Sequence, residues 1–581
     1  MKNKIIYICL ALAIIFSSCD NQFAPADDNH LTFDYVKESP STAEALLYNA
    51  YTNLPGYNYA SDVATDNAVT NNKYDGYKKI ATGQWTSKYN PTSQWQTCYD
   101  AILNINNFLS VVDNINWAPV SGEPNNTMFK LRNKGEAYGL RAYLYYKLLV
   151  AHAGLGIDGT LYGVPIITQT SEDLIANTPR STFKQCIMYI YNDIETAQSL
   201  LPLDFKDITS ESDIPQKYKD TGTSVDQYNA ICGYYSQQRI TSRILMGLKS
   251  EVALLAASPA YGIGSYDDAA NYAADVLDLI GGISGLDPNG ETYYSADNVE
   301  NISINTGGAD IREILWRTSM NQSNWSETKN FPPTLYGEGN VNPTQNLVDA
   351  FPMANGYPIT SAESNYDENN PYENRDPRLT AYIVYNGATF SNKKINVEDE
   401  SGDDAVNAIP SSTTTGYYMK KLLREDTNLN PNTKNSQKHF TVYMRYTEIF
   451  LNYAEAANEA WGPDGKGTHS YSARDVIAAL RQRAGIDIND PYLASISSKD
   501  EMRILIRNER RIELCFEGFR FWDLRRWKAD LNEAAEGITI TNDVISSSKI
   551  VEERIFKDYM NYGPIPYQEV LKFQYIQNQG W

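Results

Sequence analysis

The stretch 509–527, with the sequence ERRIELCFEGFRFWDLRRW, concentrates carboxylates, guanidinium groups and large aromatic rings. Read at helical spacing, Glu509 lies inside an otherwise apolar stripe, so its carboxylate needs a cationic partner. The apolar positions of that stripe are Met502, Leu505, Ile512 and Phe516. A shielded carboxylate of this kind is also a candidate for acid–base catalysis, because burial moves the pKa of a carboxyl group.

The same stretch contains arginines that can pair with this carboxylate and aromatic rings on which their guanidinium groups can stack. The arginines are Arg510, Arg511, Arg520, Arg525 and Arg526, and the aromatic residues are Phe519, Phe521, Trp522 and Trp527. Guanidinium groups pair with carboxylates in a bidentate manner and stack on aromatic rings. Gly518 fits a break after the helix. We interpret the stretch as a buried Glu/Arg network that fixes the docking of the C-terminal part, with a catalytic carboxylate as the alternative.

Other signals for catalysis or metal binding are sparse. The four histidines, His30, His152, His439 and His469, are isolated and form no H-E-x-x-H motif. The chain has no G-x-S-x-G, P-loop or dinucleotide-binding glycine pattern in a strand-to-helix context. Acidic loops such as YDENNPYENRD could hold Ca²⁺, although no EF-hand spacing supports it. We therefore predict no catalytic residue, no metal and no cofactor, with Ca²⁺ as the open alternative.

Composition excludes some ligands and one kind of stabilisation. The net charge of −21 disfavours nucleic acid, whose phosphates need a basic protein face. The cysteines after the N-terminal segment are scattered without a C-x-x-C pair, so we predict buried thiols rather than a disulfide framework. These cysteines are Cys98, Cys186, Cys232 and Cys515.

Amphipathic helices are the elements that must position these residues, because strand signals are few and short. The clearest helix ends at Trp461, before Gly462 and Pro463, and carries an aromatic stripe from Tyr443 onward. Further helices are predicted over 131–150, 182–201, 239–257, 266–280, 472–484 and 500–516. Some alanine- and aromatic-rich helices resemble those of tetratricopeptide repeats, but no regular period of that repeat is present.

The N-terminus reads as a bacterial lipoprotein signal over residues 1–18. Lys2 and Lys4 precede an apolar run from Ile5 to Phe16, and a small-residue site then ends in Cys19. We predict that Cys19 is lipidated. Phe16 occupies the position three residues before this cysteine, where lipoprotein signals usually have an aliphatic residue. The alternatives are a plain secretory signal and a short N-terminal anchor. The polar segment after Cys19 suits a tether.

The rest of the chain is expected to form one compact unit of two parts. Residues 19–310 are predicted to be a helical region, and residues 311–581 form a C-terminal region. The segment 321–438 within the latter is rich in Pro, Gly, Asn and Ser. Interleaved Tyr and Trp residues argue against disorder there, so a long ordered loop region suggests a functional face.

Taken together, these segments resemble the RagB/SusD family of outer-membrane lipoproteins. The motifs that carry the resemblance are NKGEAYGLRAYLYYKLLVAHAGLGIDGTLYGVPII, NPTQNLVDAFPMANGYPI, NRDPRLTAYIVYNG, RYTEIFLNYAEAANEA, ALRQRAGI, the stretch 509–527 and YGPIPYQEVLKFQYIQNQGW. The resemblance implies a mostly α-helical, SusD-like fold in which four tetratricopeptide-like helical hairpins support an irregular, loop-rich face. It also implies a protein at the cell exterior, lipid-anchored in the outer membrane, that binds an oligosaccharide and delivers it to a SusC-like TonB-dependent transporter without chemistry of its own.

Two loop regions are the predicted ligand sites. Sugar rings stack on flat aromatic faces and bind Asp, Asn, Gln and Arg at their edges. The first region, 61–85, and the second, 319–340, combine such residues with little helical pattern, whereas Trp95 starts a helix and is assigned to the core. The glycan-binding candidates are Asp66, Asn67, Asn71, Tyr74, Tyr77, Trp85, Asn324, Trp325 and Tyr336.

The charged residues of the family motifs are assigned to the scaffold instead, as ion pairs and turn formers. They are Asp349, Asn355, Arg375, Asp376, Arg378, Glu448, Glu455, Glu509, Arg510, Arg511 and Asp523. Two alternatives to glycan binding remain open. One is a peptide-binding uptake lipoprotein on the same scaffold, and the other is an all-helical glycosidase with paired carboxylates.

Overall fold

The computed structural model describes residues 33–581, except 57–58, 172, 174–176, 304–309, 543 and 547. The predicted signal segment 1–18, the lipidation site Cys19 and the tether that follows it lie outside the described residues.

Helices dominate this architecture. In chain order they are α1 Phe33–Glu38, α2 Pro40–Thr52, α3 Gly76–Ala81, α4 Trp95–Val111, α5 Asn125–His152, α6 Phe183–Leu200, α7 Gln216–Lys219, α8 Val225–Cys232, α9 Ser242–Ala257, α10 Tyr266–Asp278, α11 Ala296–Glu300, α12 Trp325–Asn330, α13 Gln345–Ala350, α14 Pro377–Tyr382, α15 Tyr446–Trp461, α16 Ala473–Arg483, α17 Pro491–Ser495, α18 Lys499–Glu513, α19 Arg520–Arg526 and α20 Tyr567–Phe573. The mostly α-helical class is confirmed.

Strands are short, as expected, and form small antiparallel sheets. They are β1 Ala68–Thr70, β2 Gly154–Leu155, β3 Leu161–Pro165, β4 Arg180–Thr182, β5 Ile314–Arg317, β6 Asn321–Ser323, β7 Val341–Pro343, β8 Ile383–Val384, β9 Thr389–Phe390, β10 Lys393–Lys394, β11 Tyr418–Met419, β12 Gln437–His439, β13 Val442–Arg445, β14 Ala535–Gly537, β15 Ile540–Thr541, β16 Val544–Ile545 and β17 Lys549–Glu552. β2, β3 and β4 form a three-stranded sheet, and the others pair as β1–β7, β5–β13, β6–β12, β8–β11, β9–β10, β14–β17 and β15–β16.

The long helices pack side by side around one large apolar core. α2 lies against α4, α5 against α6, and α10 between α9 and α15. Small residues allow these close approaches: a Cβ atom at Gly135 of α5 would lie 2.7 Å from Leu201 Cγ, just beyond α6. The buried face of α10 consists largely of alanines, and its N-terminus is capped by Ser265, which accepts hydrogen bonds from two backbone N–H groups. The arrangement as four tetratricopeptide-like hairpins stays a prediction.

The loop-rich segment 321–438 is ordered around a second apolar core. This core joins short elements such as β7, α13 and β11 to Ile512 and Phe516 at the end of α18. Asparagines at several turns adopt left-handed backbone conformations, among them Asn365, Asn374, Asn392 and Asn407. Asparagine tolerates that region better than most residues, which explains why the segment is rich in it.

Helix α18 ends earlier than the hydrophobic pattern predicts, at Glu513 rather than near Phe516. Phe516 has a left-handed φ of 62°, and its backbone N–H donates to Asp62 Oδ2 at 2.8 Å instead of continuing the helix. Gly518 follows with φ 82°, which matches its predicted role in the break. The helix therefore ends where a side chain distant in the sequence, Asp62, binds the backbone. The hydrophobic periodicity of the sequence contains no information about this contact.

Candidate functional site

The stretch 509–527 forms the buried ion network that its composition predicts, but with different partners for Glu509. Arg378 Nη1 lies 2.5 Å from Glu509 Oε1, and Arg481 Nη1 lies 3.5 Å from Glu509 Oε2. The expectation that a neighbouring arginine would pair with Glu509 is therefore wrong. α18 directs Glu509 toward α14 and α16, whereas Arg510 bonds Asp523 at 2.6 Å.

The next turn of α18 adds a second carboxylate to the network. Glu513 lies 2.7 Å from Arg483 Nη2 and 2.9 Å from Arg378 Nη1. Burial opposes ionisation of Glu513, but the guanidinium groups of Arg483, Arg445 and Arg378 outweigh it and hold its pKa at about 2. The side chains of Glu509 and Glu513 are fully buried. These pairs serve the scaffold, as the motif residues were expected to do.

Three candidates from the first loop are also part of the scaffold. Asp66 forms a bidentate pair with Arg520 and lies 2.9 Å from Arg511 Nη2, and Asn67 accepts from Arg511 Nε at 2.8 Å. Trp85 is 2% exposed and packs against Trp581. The protein itself uses their polar groups and ring faces, and their role as ligand contacts stays a prediction.

Asn71 has a different role, because it joins the two predicted loops. β1 pairs with β7, and just beyond them Asn71 Nδ2 donates to the carbonyl oxygens of Glu338 and Gly339 at 2.9 and 3.0 Å. Tyr74, three residues later, is 73% exposed. The two regions therefore lie side by side, although they are separated by more than 200 residues in the sequence.

The second loop presents two exposed aromatic rings. Trp325 begins α12, and Tyr336 follows a short 3₁₀ turn; each is 56% exposed. Asn324, between β6 and α12, donates from Nδ2 to the carbonyl oxygen of Asn435 at 2.6 Å, which ties the loop to the segment before β12. All nine tryptophans lie in the described part of the chain, and Trp325 is the one that is strongly exposed there.

Trp325 borders a cavity of about 710 Å³. The ribbon of β6 and β12 forms one wall, in which Asn321 pairs with His439. The other walls carry aromatic residues that are not among the predicted glycan-binding residues: Tyr293, Tyr294, Phe440 and Tyr443. The pairing of β6 with β12 brings Phe440 beside the second loop. No local signal in the sequence could have shown this, although the adjacent tyrosines Tyr293 and Tyr294 could have been chosen by composition.

Ion pairs fix the base and rim of this cavity. At the base, Arg445 bonds Glu517 through two nitrogens, each at 2.8 Å, and its guanidinium group lies 5.4 Å from the centre of the Tyr293 ring. At the rim, Lys438 Nζ lies 2.6 Å from Glu300 Oε2. The exposed ring of Trp325 lies at the edge of a pocket that also contains polar groups. This combination is typical of a site for a ligand with both apolar faces and hydroxyl groups.

Comparison with protein families identifies the chain. A family model described as the SusD family matches residues 312–581, and a second, described as "Starch-binding associating with outer membrane", matches residues 37–214. The chain belongs to the RagB/SusD family. Its motif residues, including the stretch 509–527, are thus family features, which agrees with their scaffold role.

Individual RagB/SusD relatives match only locally in sequence. SusD-like protein P2 of Formosa agariphila is 36% identical over 99 residues, which are 16% of this chain and 18% of that protein. SusD-like protein P38 of the same organism is 34% identical over 86 residues, or 15% and 16% of the two chains. The chain therefore matches less than a fifth of the length of these curated relatives.

Solved SusD-like structures match over nearly the whole length and show the fold. A SusD-like protein from Bacteroides fragilis gives a TM-score of 0.71 at 23% identity, covering 96% of this chain and all of that one. A SusD-like carbohydrate binding protein from the same species gives 0.66 at 21% identity, with 93% and 99% covered. A laminarin binding SusD-like protein gives 0.56 at 19% identity, with 94% and 100% covered.

Two features bear on membrane and metal binding. Among the described residues, no helix combines the length and apolar character needed to cross a bilayer. Within the same residues, no group of three or more His, Cys, Asp or Glu side chains could hold a metal ion. The absence of a cofactor, with Ca²⁺ as the open alternative, stays a prediction. The four cysteines Cys98, Cys186, Cys232 and Cys515 are free and buried, as expected.

Proposed function

We propose that this protein is a glycan-binding lipoprotein of the cell surface. It captures an oligosaccharide or polysaccharide in the cavity beside Trp325 and releases it unchanged. The observation that carries the proposal is Trp325 itself, a large aromatic ring that is 56% exposed at the edge of a pocket, where its flat face can stack on a sugar ring. The solved structures that share this fold include a carbohydrate binding protein and a laminarin binding protein, which supports a glycan as the ligand class.

The surrounding groups suit a sugar better than a purely apolar ligand. Tyr293, Tyr294 and Phe440 provide further ring surface, while Asn321, Ser323 and Lys438 provide hydrogen-bonding groups at the edge. Tyr74 and Tyr336 extend the exposed aromatic surface on the neighbouring loops. We assign them to contacts with the parts of a longer glycan that lie outside the cavity.

The proposal includes location and partner. Lipidation at Cys19 would anchor the chain in the outer membrane with the loop-rich face toward the exterior. From there the glycan passes to a SusC-like TonB-dependent transporter. The description of the family model that matches residues 37–214, which refers to starch binding and the outer membrane, supports the outer-membrane location.

Isothermal titration of the purified protein against laminarin, starch and a peptide library tests the proposal. We expect binding to at least one glycan, with no new reducing ends released, and about tenfold weaker binding for Trp325→Ala. Tyr235→Ala is a matched control, because Tyr235 is 77% exposed and does not line this cavity. Preference for peptides would indicate the peptide-uptake alternative, and release of sugar products would indicate a glycosidase.

A further inference from the structure

The cavity beside Trp325 has a polar wall, which the ribbon of β6 and β12 forms. Side chains alternate between the two faces of a strand, and residues that pair across two strands point to the same face. Asn321 and Ser323 of β6 and His439 of β12 line the cavity, and Asn321 is the partner of His439 in the ribbon. Paired side chains of this kind have Cβ atoms about 5 Å apart, so the Asn321 amide and the His439 ring are neighbours.

This polar wall begins directly at the exposed ring. Ser323 Oγ accepts a hydrogen bond from the backbone N–H of Trp325 at 3.1 Å. Asn321 lies at the next position of β6 that points to the same face. A sugar that stacks on Trp325 therefore lies against the wall that contains Asn321 and His439.

A buried carboxylate lies behind the ring of His439. The Nε2 atom of His439 is 3.3 Å from Glu327 Oε2, and neither atom forms a hydrogen bond with any other group of the described residues. The Glu327 side chain is fully buried, and within the same residues no lysine or arginine forms an ion pair with it. A buried carboxylate oxygen needs a proton donor. Nε2 is therefore the ring nitrogen that carries the proton, whether the imidazole is neutral or charged.

The other oxygen of Glu327 fixes the carboxylate itself. Oε1 accepts a hydrogen bond from the backbone N–H of Arg424 at 2.9 Å. The Arg424 guanidinium group bonds both oxygens of Asp426, at 2.9 and 2.8 Å, and so does not replace His439 as the partner of Glu327. Glu327 belongs to α12, two residues after Trp325. One short helix thus carries both the aromatic ring and the carboxylate that contacts the histidine.

The second ring nitrogen of His439 is available to a ligand. The side chain is 18% exposed and lines the cavity. Nδ1 is not buried, and none of the described residues forms a hydrogen bond with it. With the proton of a neutral imidazole on Nε2, Nδ1 is an acceptor, and in the charged imidazolium it is a donor. A hydroxyl group can both donate and accept, so a sugar hydroxyl matches this atom in either state.

We propose that His439 Nδ1 and the Asn321 amide bind neighbouring hydroxyl groups of the sugar that stacks on Trp325. Glu327 is the positioning residue that orients the His439 ring. A carboxylate or sulfate group only accepts hydrogen bonds, so it matches the charged imidazolium alone, whereas a hydroxyl group matches both states. The inference rests on the proposed glycan-binding function and narrows the ligand to a glycan whose stacked sugar has free hydroxyl groups.

Isothermal titration of the whole protein with laminarin and soluble starch tests this subsite. We expect about threefold to tenfold weaker binding for His439→Phe, which keeps a ring but has no ring nitrogen. His439→Asn should bind within about twofold of the parent, because its amide can occupy the position of Nδ1. His469→Phe is the matched control: His469 also faces a carboxylate, with Nδ1 3.3 Å from Asp278 Oδ2, but does not line the cavity.

The outcomes separate this subsite from the function on which it rests. Weaker binding by Trp325→Ala together with parent-like binding by His439→Phe would overturn the subsite and leave the glycan site in place. Binding by His439→Asn that is as weak as that of His439→Phe would overturn the role of Nδ1. Equal weakening in His469→Phe would show a general effect of losing a histidine and would overturn it as well. A parent protein that binds neither glycan would overturn both proposals.

The positioning role of Glu327 has a readout that needs no glycan. Glu327→Gln keeps an oxygen for the Arg424 N–H, but its amide N–H₂ can donate to His439 Nε2. NMR of ¹⁵N-labelled histidine rings at pH 8, with His439→Phe to assign the signals, should show a proton on Nε2 in the parent. In Glu327→Gln the proton should lie on Nδ1. An unprotonated Nε2 in the parent, or the same protonation in both proteins, would overturn the positioning role.

Discussion

Asp66 and Arg520 form a bidentate ion pair across 454 positions of the sequence, with Nε to Oδ1 at 2.9 Å and Nη2 to Oδ2 at 2.7 Å. The pair fastens the first loop region to helix α19. Burial opposes ionisation of Asp66, but Arg511 and Arg520 outweigh it and hold its pKa well below the usual range. Asp66 is thus a structural residue within a region that also carries exposed candidate contacts.

Removing this carboxylate should destabilise the protein. Asp66→Ala leaves Arg511 and Arg520 buried without their partner, which costs about 3–5 kcal/mol. Chemical denaturation followed by circular dichroism measures the loss. Asp500→Ala is the control, because Asp500 is 82% exposed in its pair with Arg503, and such a pair contributes about 1 kcal/mol or less. Equal losses for the two variants would contradict the structural role of Asp66.

Asp62 should make stability depend on pH in the opposite sense from a paired carboxylate. Burial raises the pKa of Asp62 to about 6. Between about pH 4 and pH 6, the folded protein therefore keeps the Asp62 proton that the unfolded chain has already lost. The stabilisation is present at low pH and is lost as pH rises from about 4 to about 6, by up to about 3 kcal/mol.

Asp62→Asn should remove that dependence and stabilise the protein at neutral pH. Oδ2 of Asp62 accepts from Phe516 N–H and from Asn67 Nδ2, while Oδ1 has no partner among the described residues. An amide oxygen at the Oδ2 position retains both bonds. Melting temperatures of parent and variant between pH 4 and pH 8 test this, and a variant less stable than the parent at pH 8 would refute it.

Trp325 should dominate the accessible tryptophan fluorescence. Iodide reaches exposed indoles more readily than buried ones, so Trp325→Phe should remove most of the quenchable emission. A bound glycan should protect the same fraction in the parent protein. Stern–Volmer plots with and without glycan measure both effects, and unchanged quenching in Trp325→Phe would show that another tryptophan is accessible in solution.

Trp85 and Tyr74 should separate stability from binding. Trp85→Ala removes a ring that packs on Trp581 at 4.7 Å between centroids and donates from Nε1 to Asn90 at 2.9 Å, so it should cost about 3–5 kcal/mol. Tyr74→Ala removes an exposed ring and should leave the melting temperature within about 1 °C of the parent. Thermal unfolding and glycan titration of both variants provide the comparison.

The sequence predicted features that depend on local chemistry. Helix α15 ends where Gly462 adopts a positive φ, and the stacking of arginines on Trp522 and Trp527 follows from composition. It did not predict that Glu509 binds Arg378, because that pair depends on how α14 meets α18. The sequence did not predict the ion pairs of Asp66 with Arg511 and Arg520 for a related reason: the partners of a polar loop residue depend on tertiary contacts.

The buried arginines also affect the electrostatic potential at the protein surface. Residues such as Arg378, Arg445 and Arg481 are enclosed together with the acids that they neutralise, so the net charge of −21 is displayed largely on the outer surface. A negatively charged ligand must approach through this repulsive field before it reaches the cavity beside Trp325. Its association rate should therefore rise as added salt screens the field, whereas the association rate of a neutral glycan should change little.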